Sequence, residues 1–303
     1  MKGAFRLNGK QYMQKVSVVR VDEEKITGMP TEIQLLVLDI DGTIAGESNE
    51  IRQPVLQAIQ AAQSRGIQVA IATGRMYRSA LRFHREVGST LPLLAYQAAW
   101  IQDPATQQLH RHWSVSKQTA EQLLNYFEQP QLRSLLSVHF YINDQLYVRE
   151  LTPETQIYAQ RSGIEPHAVG DLRQVLTDEP TKVLALSDDT VVIDQLLGSL
   201  RQQYTPAELY LTKSVATFFE ATNPLANKGT GVRYLAELLG IGAANVMAIG
   251  DNFNDVEMLE YAGIGVAMGN APEDVKAIAQ WVAPSIEQDG AAAAIEELLL
   301  RYA

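Results

Sequence analysis

The stretch LLVLDIDGTIAG, residues 35–46, runs four apolar residues straight into two aspartates one residue apart, then a glycine and a threonine. A short, continuously apolar run reads as a strand buried on both faces, the kind found in parallel sheets. In open parallel sheets, ligands bind in the crevice beyond the carboxyl ends of the strands. With Asp39 and Asp41 in that position, the residues just beyond every other apolar run matter most.

Outward from this strand, apolar runs alternate with helical periods, the signature of βαβ units. Val55, Ile59 and Ala62 keep helical spacing until Gly66 stops the helix, IQVAIA (67–72) is the next strand, and LPLLAY (91–96) is expected as a third. A helix carrying Leu81, Phe83 and Val87 lies between them. The rhythm breaks over 108–217. That segment offers a helix in KQTAEQLLNYFE, then LLSVHFYINDQLYVRE, whose Asn143-Asp144 between apolar runs is a hairpin signal. Helices at 153–162 and 189–203 and strands TKVLALS (181–187) and ELYLT complete a mixed block. After residue 228 the βα rhythm resumes through NVMAIG, IGVAM and WVA to a final helix from 291. The expectation is an α/β protein: a Rossmann-like parallel-sheet core over 32–107 and 218–303, an α+β module inserted at 108–217, and an appended tail at 1–31 in which KVSVVRV (15–21) offers an edge strand.

Composition narrows the function classes. Hydrophobic residues at 46% and charged residues at 20% of 303 suit a globular protein, and no apolar run approaches the roughly 20 residues of a membrane span. A net charge of −10 argues against general nucleic-acid binding. The lack of cysteine removes disulfides, thiolate chemistry and cysteine–zinc sites, and the cytoplasm is the expected compartment. The first 25 residues carry six basic and three acidic side chains without the apolar core of a signal peptide, and VDEEK is too acidic for a transit peptide.

Three strand ends carry polar chemistry: Asp39-Ile40-Asp41-Gly42-Thr43, Thr73-Gly74-Arg75 and Asp251-Asn252-Phe253-Asn254-Asp255. One acid after a strand is usually the N-cap of the next helix; three such ends in one chain argue for convergence. Asp39, Asp41 and Glu50 fall at EF-hand positions, but Ile44 stands where that loop needs glycine, and a strand precedes it. Clustered carboxylates without histidine or cysteine suit a hard divalent cation such as magnesium. Gly42 lets backbone approach an anion, and the amides of residues 40–42 can cradle phosphate oxygens. Of two aspartates at i and i+2 where a strand yields to a loop, one can attack while the other handles protons. Lys228 sits poorly at a helix N-terminus, so an anionic partner is expected. Arg75 is read as a salt-bridge former ahead of a substrate contact. His110 and His112 are read as capping or solvent-facing groups, and Phe140, Tyr141 and Tyr147 as hairpin packing, not a sugar platform.

DIDGT, TGR, Lys228 and GDNFND, in that order, resemble the four motifs of the haloacid dehalogenase superfamily, and their spacing resembles its Cof-type branch with a large α+β cap. The resemblance covers about residues 33–303. It implies Asp39 as nucleophile, Asp41 as acid and base, and Thr73 and Lys228 as holders of the transferring phosphoryl group. It further implies magnesium on Asp39, the Asp41 carbonyl and Asp251, with Asn254 contacting phosphate and Asp255 orienting the lysine or a metal-bound water. Ile40, Gly42, Gly74 and Arg75 fall on the phosphate side. The implied activity is magnesium-dependent hydrolysis of small phosphorylated metabolites, sugar phosphates favoured, through an aspartyl-phosphate, by a monomer or small homo-oligomer without nucleic-acid or membrane partners. A phosphomutase, a sucrose-phosphate-type phosphatase and a non-catalytic phosphate-binding regulator are the alternatives. One departure stands out: the family's Asn-Gly-Ala after the third strand is here Gln97-Ala98-Ala99, which puts substrate contacts at that edge in question.

Overall fold

The computed structural model describes residues 32–301; the strand expected at 15–21 lies outside them. The chain enters the core through β1 (Leu35–Leu38), α1 (Gln53–Ser64), β2 (Gln68–Ile71) and α2 (Tyr77–Glu86). β3 (Leu93–Ala95), β4 (Trp100–Gln102) and β5 (Leu109–His112) come next as a separate antiparallel sheet. The inserted layer runs through α3 (Lys117–Phe127), β6 (Ser137–Ile142), β7 (Gln145–Val148), α4 (Pro153–Ser162), β8 (Pro166–Ala168), β9 (Lys182–Leu186), α5 (Thr190–Gln203), β10 (Tyr210–Thr212) and β11 (Phe218–Thr222). The chain then returns to the core as α6 (Lys228–Leu239), β12 (Val246–Gly250), α7 (Val256–Tyr261), β13 (Ile264–Ala267), α8 (Glu273–Ile278), β14 (Trp281–Val282) and α9 (Gly290–Ile295).

The core sheet is parallel, in the order β14-β13-β12-β1-β2. β1 leads to β2 on one side and, after the insertion, takes β12 on the other, so the chain reverses direction across the sheet at β1. That reversal opens a crevice at the carboxyl end of β1, the usual ligand position. Alternation explains the unbroken apolar run. Leu36 and Leu38 pack with α1 through Val55, Ile59 and Ala62, while Leu35 and Val37 pack with α6 through Val232 and Leu235. All four are fully buried, each contributing roughly 1.5–3 kcal/mol.

The inserted layer has its own core, where α3 and α5 lie on a six-stranded sheet ordered β10-β11-β9-β6-β7-β8. Asn143 and Asp144, at φ 52° and 55°, form the two-residue turn between β6 and β7, the primed hairpin geometry that their residue types favour. Asp144 also acts across the layers. Its carboxylate accepts from the amides of Tyr77 (3.1 Å) and Arg78 (3.0 Å) and from the Tyr96 hydroxyl (2.7 Å). The hairpin tip thus caps α2, whose own N-cap, Met76, has no side chain able to do so.

Two expectations are corrected in detail. LPLLAY does not join the parallel sheet as a full third strand: β3 touches it only through a bridge between Ala72 and Leu94, and pairs with β4 instead. The reversal is made by Tyr96, Gln97 and Ala98, all at positive φ (53°, 59° and 66°), a conformation that non-glycine residues adopt at a cost. The expected boundary at 217 leaves Phe218–Thr222 in the core, yet β11 lies inside the inserted sheet between β9 and β10. β5, counted there with the insertion, pairs with β4.

Candidate active site

Asp39 lies directly after the last residue of β1 and is 4% exposed. Its Oδ1 accepts from Lys228 Nζ at 2.6 Å, and the same ammonium donates to Asp255 Oδ1 at 2.5 Å. Asn227 caps α6 by accepting from the Thr230 amide (2.8 Å), which fixes Lys228 in the first turn, fully buried. The lysine's unfavourable place at a helix N-terminus is offset by two carboxylates. They raise its pKa against the desolvation that opposes its charge.

Asp255 is fully used. Its Oδ2 accepts from the amides of Asp251 (2.8 Å) and Asn252 (3.0 Å), which folds the loop after β12 and points Asp251 at Asp39. Oxygens of Asp39, Asp251 and Asp255 lie within 4.8 Å of one another. Thr43 Oγ1 stands 3.4 Å from both Asp39 Oδ2 and Asp251 Oδ1. Burial, together with the charges of Asp255 and Asp41, pushes Asp39 up to about 7 in spite of Lys228. Asp251 is raised well above the carboxylate range by burial and then by Asp39 and Asp255. Three carboxylates against one lysine leave negative charge uncompensated, and an all-oxygen donor set of this kind fits a hard divalent cation. Gly42, at φ +82°, belongs to the same constraint, since any side chain there would run into the Asp251 carboxylate.

Asp41 takes a different environment. Arg75 grips it in a bidentate pair, Nε to Oδ2 at 2.8 Å and Nη2 to Oδ1 at 2.6 Å, and Arg161 of α4 stands 3.6 Å away. Burial pushes its pKa up, but the hydrogen bonds and charge of Arg75, then Arg161 and Lys228, hold it below the ordinary range. The expected salt bridge of Arg75 is therefore present, while its Nη1 is buried without a partner.

The remaining expected residues gather around the same crevice. Ile40 is buried, and its carbonyl accepts from Thr43, Ile44 and Ala45. The Gly42 amide donates to Ala45 (3.0 Å), so of the three loop amides expected to face an anion, one is already engaged. Thr73 is buried, its hydroxyl accepting from the Arg75 amide (3.2 Å). Asn254 donates to Gln97 Oε1 (3.2 Å). Asp39, Asp41, Gly74, Arg75 and Asn254 line a cavity of about 370 Å³ whose other wall is the inserted layer, including Tyr158, Arg161, Lys182, Phe218 and Glu220. His110 and His112 bond Tyr234 (2.9 Å) and Thr181 (2.8 Å), and Phe140 and Tyr141 are wholly buried.

Sequence reasoning missed Asn270, which donates to Gly42 O (2.9 Å) and Asp251 Oδ2 (3.2 Å). It lies just past the end of β13, so the strand-end argument applied once more would have found it. Lys182, Glu220 and Arg161 were also missed, and they lie in a segment whose pattern shows packing and no motif.

A parallel sheet with a buried acid–lysine cluster at its reversal point, closed over by an inserted α+β layer, defines an enzyme that works at the strand ends. Residues 36–295 match the model of the haloacid dehalogenase-like hydrolases, and the chain belongs to that family, as a phosphatase of its Cof-type branch. A 5-amino-6-(5-phospho-D-ribitylamino)uracil phosphatase of Bacillus subtilis is 29% identical over 277 residues, covering 89% of this chain and 98% of that one. A putative phosphatase of Haemophilus influenzae is 29% identical over 260 residues, covering 86% and 95%. The crystal structure of a haloacid dehalogenase-like hydrolase from Bacteroides thetaiotaomicron superposes with a TM-score of 0.77 at 25% identity, covering 88% of this chain and all of that one. No described helix is long and apolar enough to cross a membrane.

Proposed function

We propose that the protein is a magnesium-dependent phosphomonoesterase that transfers the phosphoryl group of a small metabolite to Asp39 and then to water. The observation that carries this reading is the placement of Asp39, buried on the lining of the cavity, between Lys228 and Asp251. An Asp39 oxygen attacks phosphorus, the ester P–O bond breaks, and the leaving oxygen takes a proton from Asp41. Water then gives a proton back to Asp41 as its oxygen attacks phosphorus, releasing inorganic phosphate and the Asp39 carboxylate. In the present arrangement Arg75 keeps Asp41 ionised, the form that activates water. The donating form requires the entering phosphate to compete for Arg75 and so relax its hold. Lys228, Thr73 and Asn254 would hold the phosphoryl oxygens. Asp39, Asp251 and the Asp41 carbonyl would hold magnesium, which supplies charge neutralisation between carboxylate and phosphate.

Sugar phosphates remain the favoured class. The similarity to a ribitylaminouracil phosphatase, together with Tyr158 and Phe218 on the cavity wall, adds polyol phosphates that carry a ring as a second class to assay. Phosphate release from such esters with magnesium tests the reading. Turnover by wild type and none by Asp39→Asn supports it; equal rates in the two proteins would sink it.

A further inference from the structure

The departure Gln97-Ala98-Ala99 sits at the centre of a buried polar chain that joins the two layers. Lys182 on β9 and Glu220 on β11 are each 2% exposed and face one another at 3.3 Å. Lys182 Nζ also donates to the carbonyl of Gly74 at 2.8 Å, inside the loop that holds Thr73. Glu220 Oε1 accepts from Ser214 (2.6 Å), and its Oε2 accepts from Gln97 Nε2 (3.1 Å). Gln97 Oε1 in turn accepts from Asn254 Nδ2 (3.2 Å).

The direction of these bonds is determined at one end. A carboxylate only accepts, so the Gln97 amide must turn its nitrogen to Glu220 and its oxygen to Asn254. Asn254 must then turn its nitrogen to Gln97. A glutamine reaches one methylene further than the asparagine of the resembled motif, and here its amide spans from Glu220 to Asn254. A Cβ at Gly74 would stand 2.5 Å from Gln97 Nε2, so the amide lies against the Thr73–Gly74 loop and any side chain at 74 would displace it. The cost of three consecutive left-handed residues at 96–98 is borne where Tyr96 bonds Asp144 and Gln97 bonds Glu220, the first acid in the β6–β7 turn and the second on β11 of the inserted layer.

We propose that Lys182 and Glu220, with Gln97 as their link, are positioning residues through which the inserted layer sets the phosphate side of the site. Lys182 holds the Thr73–Gly74 loop, and Glu220 orients Asn254 through Gln97. This rests on the phosphatase reading only for its kinetic arm. Full-length wild type, Gln97→Met, Lys182→Met and the double variant are compared by melting temperature, by calorimetric affinity for inorganic phosphate with magnesium, and by kcat and KM on esters with different leaving groups.

The expected result is weaker phosphate binding, and a loss of kcat on the order of tenfold to a hundredfold by the same factor on every ester. The ratios of KM between esters stay unchanged. Because Gln97 and Lys182 meet through Glu220, the double variant loses less than the product of the single losses. Wild-type phosphate affinity in a variant that melts like wild type overturns the proposal. So do KM changes that differ from ester to ester with phosphate affinity intact, which would make the pair a reader of the leaving group. Should Lys182→Met leave Glu220 unpaired and fail to fold, Gln97→Met, which removes no charge, carries the same comparison. A wild type that binds inorganic phosphate without hydrolysing esters removes the phosphatase reading and leaves the binding arm to decide this one.

Discussion

Lys228 shows how closely the site's charges depend on one another. Its ammonium serves Asp39 and Asp255 at once, and breaking a buried ion pair by removing one partner costs about 3–5 kcal/mol. Lys228→Met is expected to lose activity and to lower Tm in chemical or thermal unfolding, because both carboxylates stay buried without it. The uncompensated charge on Asp39 and Asp251 leads to a second expectation. Magnesium at about 100 times its Kd stabilises the native state by about 2.7 kcal/mol, a rise in Tm that EDTA reverses and Asp251→Ala abolishes; a Tm indifferent to magnesium in wild type contradicts the metal assignment. At this scale the sequence was most legible where apolar runs end, since Asp39, Thr73 and Asp251 each come after a strand whose burial is written in its residues. Lys182 and Glu220 were not legible. Both lie in strands that read as ordinary packing, and only the pairing of β9 with β11 makes them partners.

At the scale of elements, the hairpin tip and α2 are coupled. Asp144 supplies the cap that Met76 lacks, so Asp144→Ala is expected to cost about 1–2 kcal/mol, measured as a shift of the denaturation midpoint with an unchanged m-value. An unchanged midpoint would mean that α2 finds another cap. The Asn143-Asp144 turn itself was readable from its two residues, but its second use was not, because the contact spans 67 positions of chain. The reversal after β3 was hidden for a related reason. AYQAAW has no glycine to announce positive φ, and the conformation is held by tertiary bonds of Tyr96 and Gln97. FFEAT reads equally well as a core or an inserted strand, so only its partners β9 and β10 decide the boundary.

Across the whole molecule, stability against acid has a defined contributor in the inserted layer. His139 is fully buried against Thr155 (2.9 Å), and burial, reinforced by the charge of Lys182, lowers its pKa from 6.5 to about 3. Unfolded chains therefore take up a proton below pH 6.5 that the folded protein refuses until about pH 3. The contribution is present above 6.5 and is lost as pH falls through that window, by up to about 1.4 kcal/mol per pH unit. Denaturant titrations of wild type and His139→Gln between neutral pH and pH 4.5 should show a shallower decline in the variant; parallel curves would contradict it.

The two layers meet at the cavity, and the central claim concerns the Asp39 carboxylate that lines it. Rapid acid quenching during turnover of a phosphomonoester with magnesium, followed by peptide mass spectrometry, tests it most directly. The account predicts a phosphoryl group on Asp39 within LLVLDIDGTIAG and none in Asp39→Asn. Sustained phosphate release with that peptide unmodified at every quench time, or with the label on another residue, would contradict it.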